Sequence, residues 1–222
     1  RSLSNLGVDI IDLVQLHCPP SDICGKQETY EMMDEIVKKG KIKYYGVSVE
    51  KVSEAMDAIN YPNVKSIQII FNIFRQKPSD VFFNEAKKNN VAVIARVPLA
   101  SGLLTGKMNK NSVFPINDHR NYNIKGEAFD VGETFSGVNF LKGLKAVEEL
   151  KDLLPPNYNL VDLALKWILS YDQVTTVIPG AKNEHQVLSN IRASDLESIE
   201  NLKGKIKIIY DTYFKKEIHK LW

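Results

Sequence analysis

Apolar and polar positions along the chain switch repeatedly between two periods. Val8 to His17 is largely apolar and β-branched, the pattern of a parallel strand buried on both faces. Lys26 to Gly40 then takes up helical spacing. Met33, Ile36 and Val37 share a face with Tyr30, Lys38 and Lys39 give a basic last turn, and Gly40 supplies a stop. The alternation recurs with strand Lys43–Ser48 and helix Val52–Ile59, strand Ser66–Phe71 and helix Ser79–Asn89, and strand Val91–Ala95. An irregular stretch rich in Asn, Asp and Gly follows from about Lys107 to Gly137. Helices near Val138–Leu153 and Leu160–Tyr171, strand Val174–Ile178, helix Glu184–Asn190 and a charged helix from about Asp195 to Lys216 complete the pattern.

Strict strand-helix alternation predicts right-handed crossovers and a parallel sheet, either open and doubly wound or closed into an eight-stranded barrel. Five strand-helix units fit an open sheet by count. Against that, no G-x-G-x-x-G follows any strand, and the polar candidates follow four different strands, as they do where barrel loops converge at the C-terminal face. The expectation is an α/β fold, a (β/α)8 TIM barrel with about five of its eight units in this chain, folded as a single domain over residues 1–222.

Composition narrows the function classes. The 222 residues are 44% hydrophobic and 25% charged, at globular averages. With 29 Lys+Arg against 27 Asp+Glu, and no long run of one sign, nothing argues electrostatically for nucleic acid or an anionic membrane. No segment reaches the roughly 18 consecutive apolar residues of a membrane span, and Arg1–Asn5 has no signal-peptide core, so a cytoplasmic protein is expected. Cys18 and Cys24 form neither a C-x-x-C pair nor half a zinc site, and no metal is expected.

The most informative segment is Val174–Gln186, where a β-branched strand runs through Pro179-Gly180 into a polar helix start carrying Lys182. Unpaired N–H groups and the positive end of the helix dipole favour an anion there. An ordinary strand-to-helix turn with an exposed lysine is the other reading. Gly102-Leu103-Leu104-Thr105-Gly106-Lys107-Met108 looks like a P-loop but is one residue short, with Met108 where Ser or Thr should bind magnesium. The irregular stretch carries Phe114, His119, Arg120, Tyr122, Phe129 and Phe135, either a cofactor cover or substrate wall, or a disordered surface excursion.

Several blocks in order resemble the aldo-keto reductases, in particular their bacterial-type branch. They are Leu6–His17, Gly40–Ser48, Ile67-Gln68 leading to Asn72-Ile73-Phe74, Ile94–Lys107 and Val177–Asn190, with a tail from Tyr210 to Trp222 like the closing segment of that branch. The resemblance covers essentially the whole chain and places Arg1 inside the helix that precedes the family's fourth strand. It implies NADP(H)-dependent reduction of aldehydes or ketones by hydride transfer. His17 matches the histidine of the catalytic tetrad, while the family's aspartate, tyrosine and lysine have no counterpart here, so the isolated chain is expected to be inactive.

By the same resemblance Ser48 and Gln68 hold the nicotinamide carboxamide, with Val49 where an asparagine is usual. Arg96 stands where many relatives stack a tyrosine on the nicotinamide. Val97, Leu99, Ser101, Gly102 and Leu103 lie along the pyrophosphate. Gly180, Ala181, Lys182, Asn183, Gln186 and Asn190 align with the adenosine-phosphate site, where Lys182 would favour NADP(H) and Gln186 replaces a common arginine. The implied partner is a small carbonyl substrate, with self-association or an N-terminal segment completing the barrel. The alternative is a non-catalytic, cofactor-holding regulatory module resembling ion-channel accessory subunits.

Overall fold

A computed structural model describes residues 1–222. Its elements run α1 (Ser2–Leu6), β1 (Ile11–His17), α2 (Ser21–Cys24), α3 (Gln27–Lys38), β2 (Ile42–Val49), α4 (Val52–Ala58), β3 (Val64–Ile70), α5 (Phe82–Lys88) and β4 (Ala92–Arg96). Then come α6 (His119–Tyr122), α7 (Phe140–Lys151), α8 (Leu160–Leu169), β5 (Val174–Val177), α9 (Glu184–Asp195), α10 (Glu200–Tyr210) and α11 (Lys216–Ile218). The strands form one parallel sheet in sequence order, β1-β2-β3-β4-β5. That order is what successive right-handed crossovers produce.

Two compact units divide the chain, and the division passes through β3 and β4. The first comprises Arg1–Ile69 and Pro78–Ile94. Its interior packs Val47, Val49 and Ile67 of the sheet with Ala55 and Ala58 of α4 and Phe82, Phe83 and Ala86 of α5, all fully buried. Each such large apolar side chain contributes about 1.5–3 kcal/mol by leaving water. Tyr30 stacks on Tyr61 with ring centres 3.8 Å apart, and its hydroxyl donates to the Cys24 carbonyl at 2.7 Å. Burial pushes the Tyr30 hydroxyl pKa well above its ordinary value and that of the Cys24 thiol up to about 11. Cys24 is therefore a packed, inert thiol.

The second unit comprises Ile70–Lys77 and Ala95–Trp222. Phe71 stacks on Trp167 at 4.8 Å and meets Tyr171 edge-on, while Phe74 packs on Phe214. Helix α8 buries nearly its whole length because Leu160, Leu163, Ala164, Leu165, Trp167 and Ile168 cover most of its circumference. The stretch 107–137 is ordered around α6 and two single 3-10 turns. Phe114, Phe135 and Phe140 cluster there, and Arg120 lies over the Phe114 ring at 4.6 Å.

Several expected boundaries shift for local reasons. Strand β1 begins at Ile11 rather than Val8, because Gly7 turns left-handed (φ 67°) to end α1. Pro78 sits in a 3-10 turn at Lys77–Ser79, so α5 starts at Phe82 rather than Ser79. Helix α9 runs on to Asp195, and extended Leu196 ends it. The expected continuous terminal helix is instead α10, a π-helical turn at Asp211–Lys215 and α11.

Candidate functional site

Parallel pairing sets side chains of equal register side by side on the same face of a sheet, strand neighbours lying about 4.8 Å apart. His17 on β1 is in register with Ser48 on β2, and Ser48 with Gln68 on β3. The three candidates therefore form one row across adjacent strands at their C-terminal ends. His17 is exposed, Ser48 fully buried and Gln68 half-buried. Beside the row, the Cys18 N–H donates to the Ser48 carbonyl at 2.9 Å, and its thiol lies 3.7 Å from Ser48 Oγ.

Two residues earlier on each strand lies the row Gln15, Gly46 and Ser66. Gln15 Nε2 donates to Ser66 Oγ (3.1 Å), and Gln68 Nε2 donates to Gln15 Oε1 (2.6 Å). Glycine is required between them, since a Cβ on Gly46 would come within 2.1 Å of Ser66 Oγ and 2.4 Å of its carbonyl oxygen. The network engages the Gln68 amide nitrogen with Gln15 and leaves its oxygen as an acceptor. That acceptor fits an amide N–H₂ such as the nicotinamide carboxamide. Gln15 was not among the expected site residues, although it lies on the same strand face as His17 by the period of two.

In the second unit Arg96 ends β4, is 6% exposed and pairs with Glu133. The backbone beyond it is unusual, with positive φ at Val97 (52°), Ala100 (47°), Ser101 (54°) and Gly102 (97°). For β-branched Val97 this is a strained conformation. Asn72, fully buried, braces it by donating to the Val97 carbonyl at 2.8 Å. Leu99, Ser101 and Gly102 are half-buried, and Leu103 is wholly in the core.

At the start of α9, Gly180, Ala181, Lys182, Asn183 and Gln186 are exposed and Asn190 is half-buried. Nothing lies within 4 Å of a Cβ built on Gly180, so the turn is open. Asn183 caps the helix by accepting from the Gln186 N–H (3.0 Å). Gln186 Oε1 in turn accepts from the Lys182 N–H (2.7 Å), and Asn190 donates to the Gly180 carbonyl (3.3 Å). Lys182 is exposed at this open helix start, where a positive charge suits an anion.

A parallel α/β fold with polar groups gathered at strand ends defines the broad class, and comparison with known proteins gives the family. Residues 1–207 match the Aldo/keto reductase family. The aldo-keto reductase YhdN of Bacillus subtilis is 32% identical over 89% of the chain, and the uncharacterised oxidoreductase YqkF of the same organism 28% identical over 99%. A solved glycerol dehydrogenase from Gluconobacter oxydans superposes with a TM-score of 0.75 at 28% identity, covering 96% of this chain and 62% of that one. The chain belongs to the aldo/keto reductase family, in its bacterial-type branch. It spans 58% of the length of YhdN and 65% of that of YqkF.

Proposed function

We propose that this chain carries the nicotinamide-cofactor contacts and the carbonyl-orienting histidine of an NADP(H)-dependent reductase of aldehydes or ketones. The row His17, Ser48 and Gln68 carries the reading, because register alone sets a hydrogen-bond donor beside two groups suited to a carboxamide. The bound cofactor would supply the hydride that reduces the carbonyl carbon. Gln68, held by Gln15, accepts from the carboxamide and fixes which face of the ring is presented. Exposed His17 donates to the substrate carbonyl oxygen and stabilises the charge that develops there. Lys182, at the open start of α9, holds the phosphate that distinguishes NADP(H).

His17 is the member of the family's catalytic tetrad that the resemblance places in this chain, and cofactor binding is the property its residues predict. The test is titration of the purified chain with NADPH and with NADH, followed by quenching of tryptophan fluorescence. Saturable, NADPH-selective binding supports the reading. A folded chain that binds neither cofactor defeats it.

A further inference from the structure

Arg96, the cofactor candidate at the end of β4, already holds an anion of the chain's own. Its guanidinium pairs with Glu133, whose side chain is 24% exposed against 8% for Arg96. Ser101 is committed to the same segment. Its hydroxyl donates to the Glu133 carbonyl and accepts from the Phe135 N–H, both at 2.9 Å. Asn72 links the two stretches again, donating to the Val97 carbonyl and to Ser136 Oγ at 2.8 and 2.7 Å. Phe135 and Ser136 have positive φ (52° and 60°), like Val97 and Ser101 opposite them. Two strained stretches are thus held in place by bonds to each other.

The far side of the segment is fastened to the end of the chain. Trp222 Nε1 donates to Asp130 at 3.0 Å, and the Arg75 guanidinium lies 3.8 Å over its ring. Gly137 lies against that ring so closely that an added Cβ would come within 2.3 Å of it. The segment from Asp130 to Gly137 is therefore anchored at its outer end by Trp222 and at its inner end by the pairs to Arg96 and Ser101.

We propose that Glu133 is a resident counter-anion on Arg96, which the cofactor must displace to reach the guanidinium. The proposal rests on the reading of Arg96 and Ser101 as cofactor groups. Its consequence is that the wild-type chain holds NADPH less tightly than its own residues allow, because part of the binding energy goes to releasing Glu133. Removing the charge while keeping the shape lifts that cost.

The experiment compares the full chain with its Glu133→Gln variant in two measurements. Hydrogen exchange without cofactor reads the attachment itself, and amides of residues 130–137 exchange faster in the variant. Titration with NADPH reads the competition, and the variant binds roughly tenfold more tightly, the difference between a guanidinium-carboxylate ion pair and a guanidinium bond to a neutral amide. Trp222→Phe, which removes the Nε1 donor but leaves the Arg96 pair intact, also accelerates exchange and tightens NADPH by a smaller factor. NADPH affinity that is unchanged or weaker in Glu133→Gln, with exchange accelerated, overturns the competition and makes Glu133 a positioning residue for Arg96. Absence of NADPH binding in all three folded proteins overturns the cofactor reading and this proposal together.

Discussion

Lys182 and Asp118 show how differently two charged residues act depending on what surrounds them. Lys182 is exposed, so its pairing with a phosphate is weakened by water and salt. Lys182→Ala should weaken NADPH binding by about three- to fivefold, with little effect on NADH. Equal losses for both, in parallel titrations, would remove the 2'-phosphate assignment. Asp118 sits inside a fork. Arg120 donates to it through Nε, Nη2 and its backbone N–H at 2.9, 2.6 and 2.9 Å. The side-chain bond to Arg120 is the main reason its carboxyl pKa is lowered from 3.8 to about 2. A pKa lowered by folding means stability that is fully present above 3.8 and lost as pH falls toward about 2. Thermal unfolding of wild type and Asp118→Asn should therefore show a constant gap above about pH 4 that closes toward pH 2. The same fork holds Arg120 over Phe114 and next to the Ser101 carbonyl, 3.5 Å away.

At the scale of elements, helix ends do much of the positioning. Asn159 and Asp162 form a capping box on α8, each side chain accepting from the other's backbone N–H at 3.0 Å. Asp162 is fully buried, and Arg192 of α9 reaches it at 3.6 Å while also donating to the Asn157 carbonyl. One box thus starts α8 and gives α9 its attachment. Asn159→Ala should cost about 1 kcal/mol, measured by urea unfolding, with the Asp162–Arg192 contact left in place. A cost near zero would mean that water replaces the cap. Element type was legible from periodicity because a period of two and a period of 3.6 bury different residues. Element ends were less so. Nothing in the apolar pattern marked the break of the terminal helix at Leu196 or the π-helical turn at Asp211–Lys215.

For the molecule as a whole, the two ends of the strand order carry exposed apolar side chains. In the first unit these are Val8, Ile10 and Leu13 around β1, and in the second Ile178 after β5 with Val187, Leu188 and Ile191 on α9. End strands with apolar surface pair readily with another chain, and self-association is the proposed consequence. No helix is long and apolar enough to cross a membrane. The C-terminal tryptophan is 5% exposed and joins Arg75, Asp130 and Gly137. Trp222→Ala should lower stability by about 3–5 kcal/mol in thermal or denaturant unfolding, far more than trimming an exposed terminal residue.

The sequence by itself determined the strand-helix order and the parallel sheet, since the two periods bury different residues and strict alternation calls for parallel crossovers. His17, Ser48 and Gln68 were named through the family resemblance, and strand pairing set them in one row. The sequence also marked the polar start of α9, because cap residues and glycine act through their immediate neighbours. Only the tertiary structure decided the rest. Gln15 and Ser66 are 51 positions apart, and Arg96 and Glu133 are 37 apart. No local pattern encodes such pairs. The stretch 107–137 has no period to read, and its order comes from contacts to Arg96, Ser101, Asn72 and Trp222 that exist only once the second unit has folded. Local propensity thus supplied the elements, and long-range pairing chose which of their polar groups remain available to a ligand.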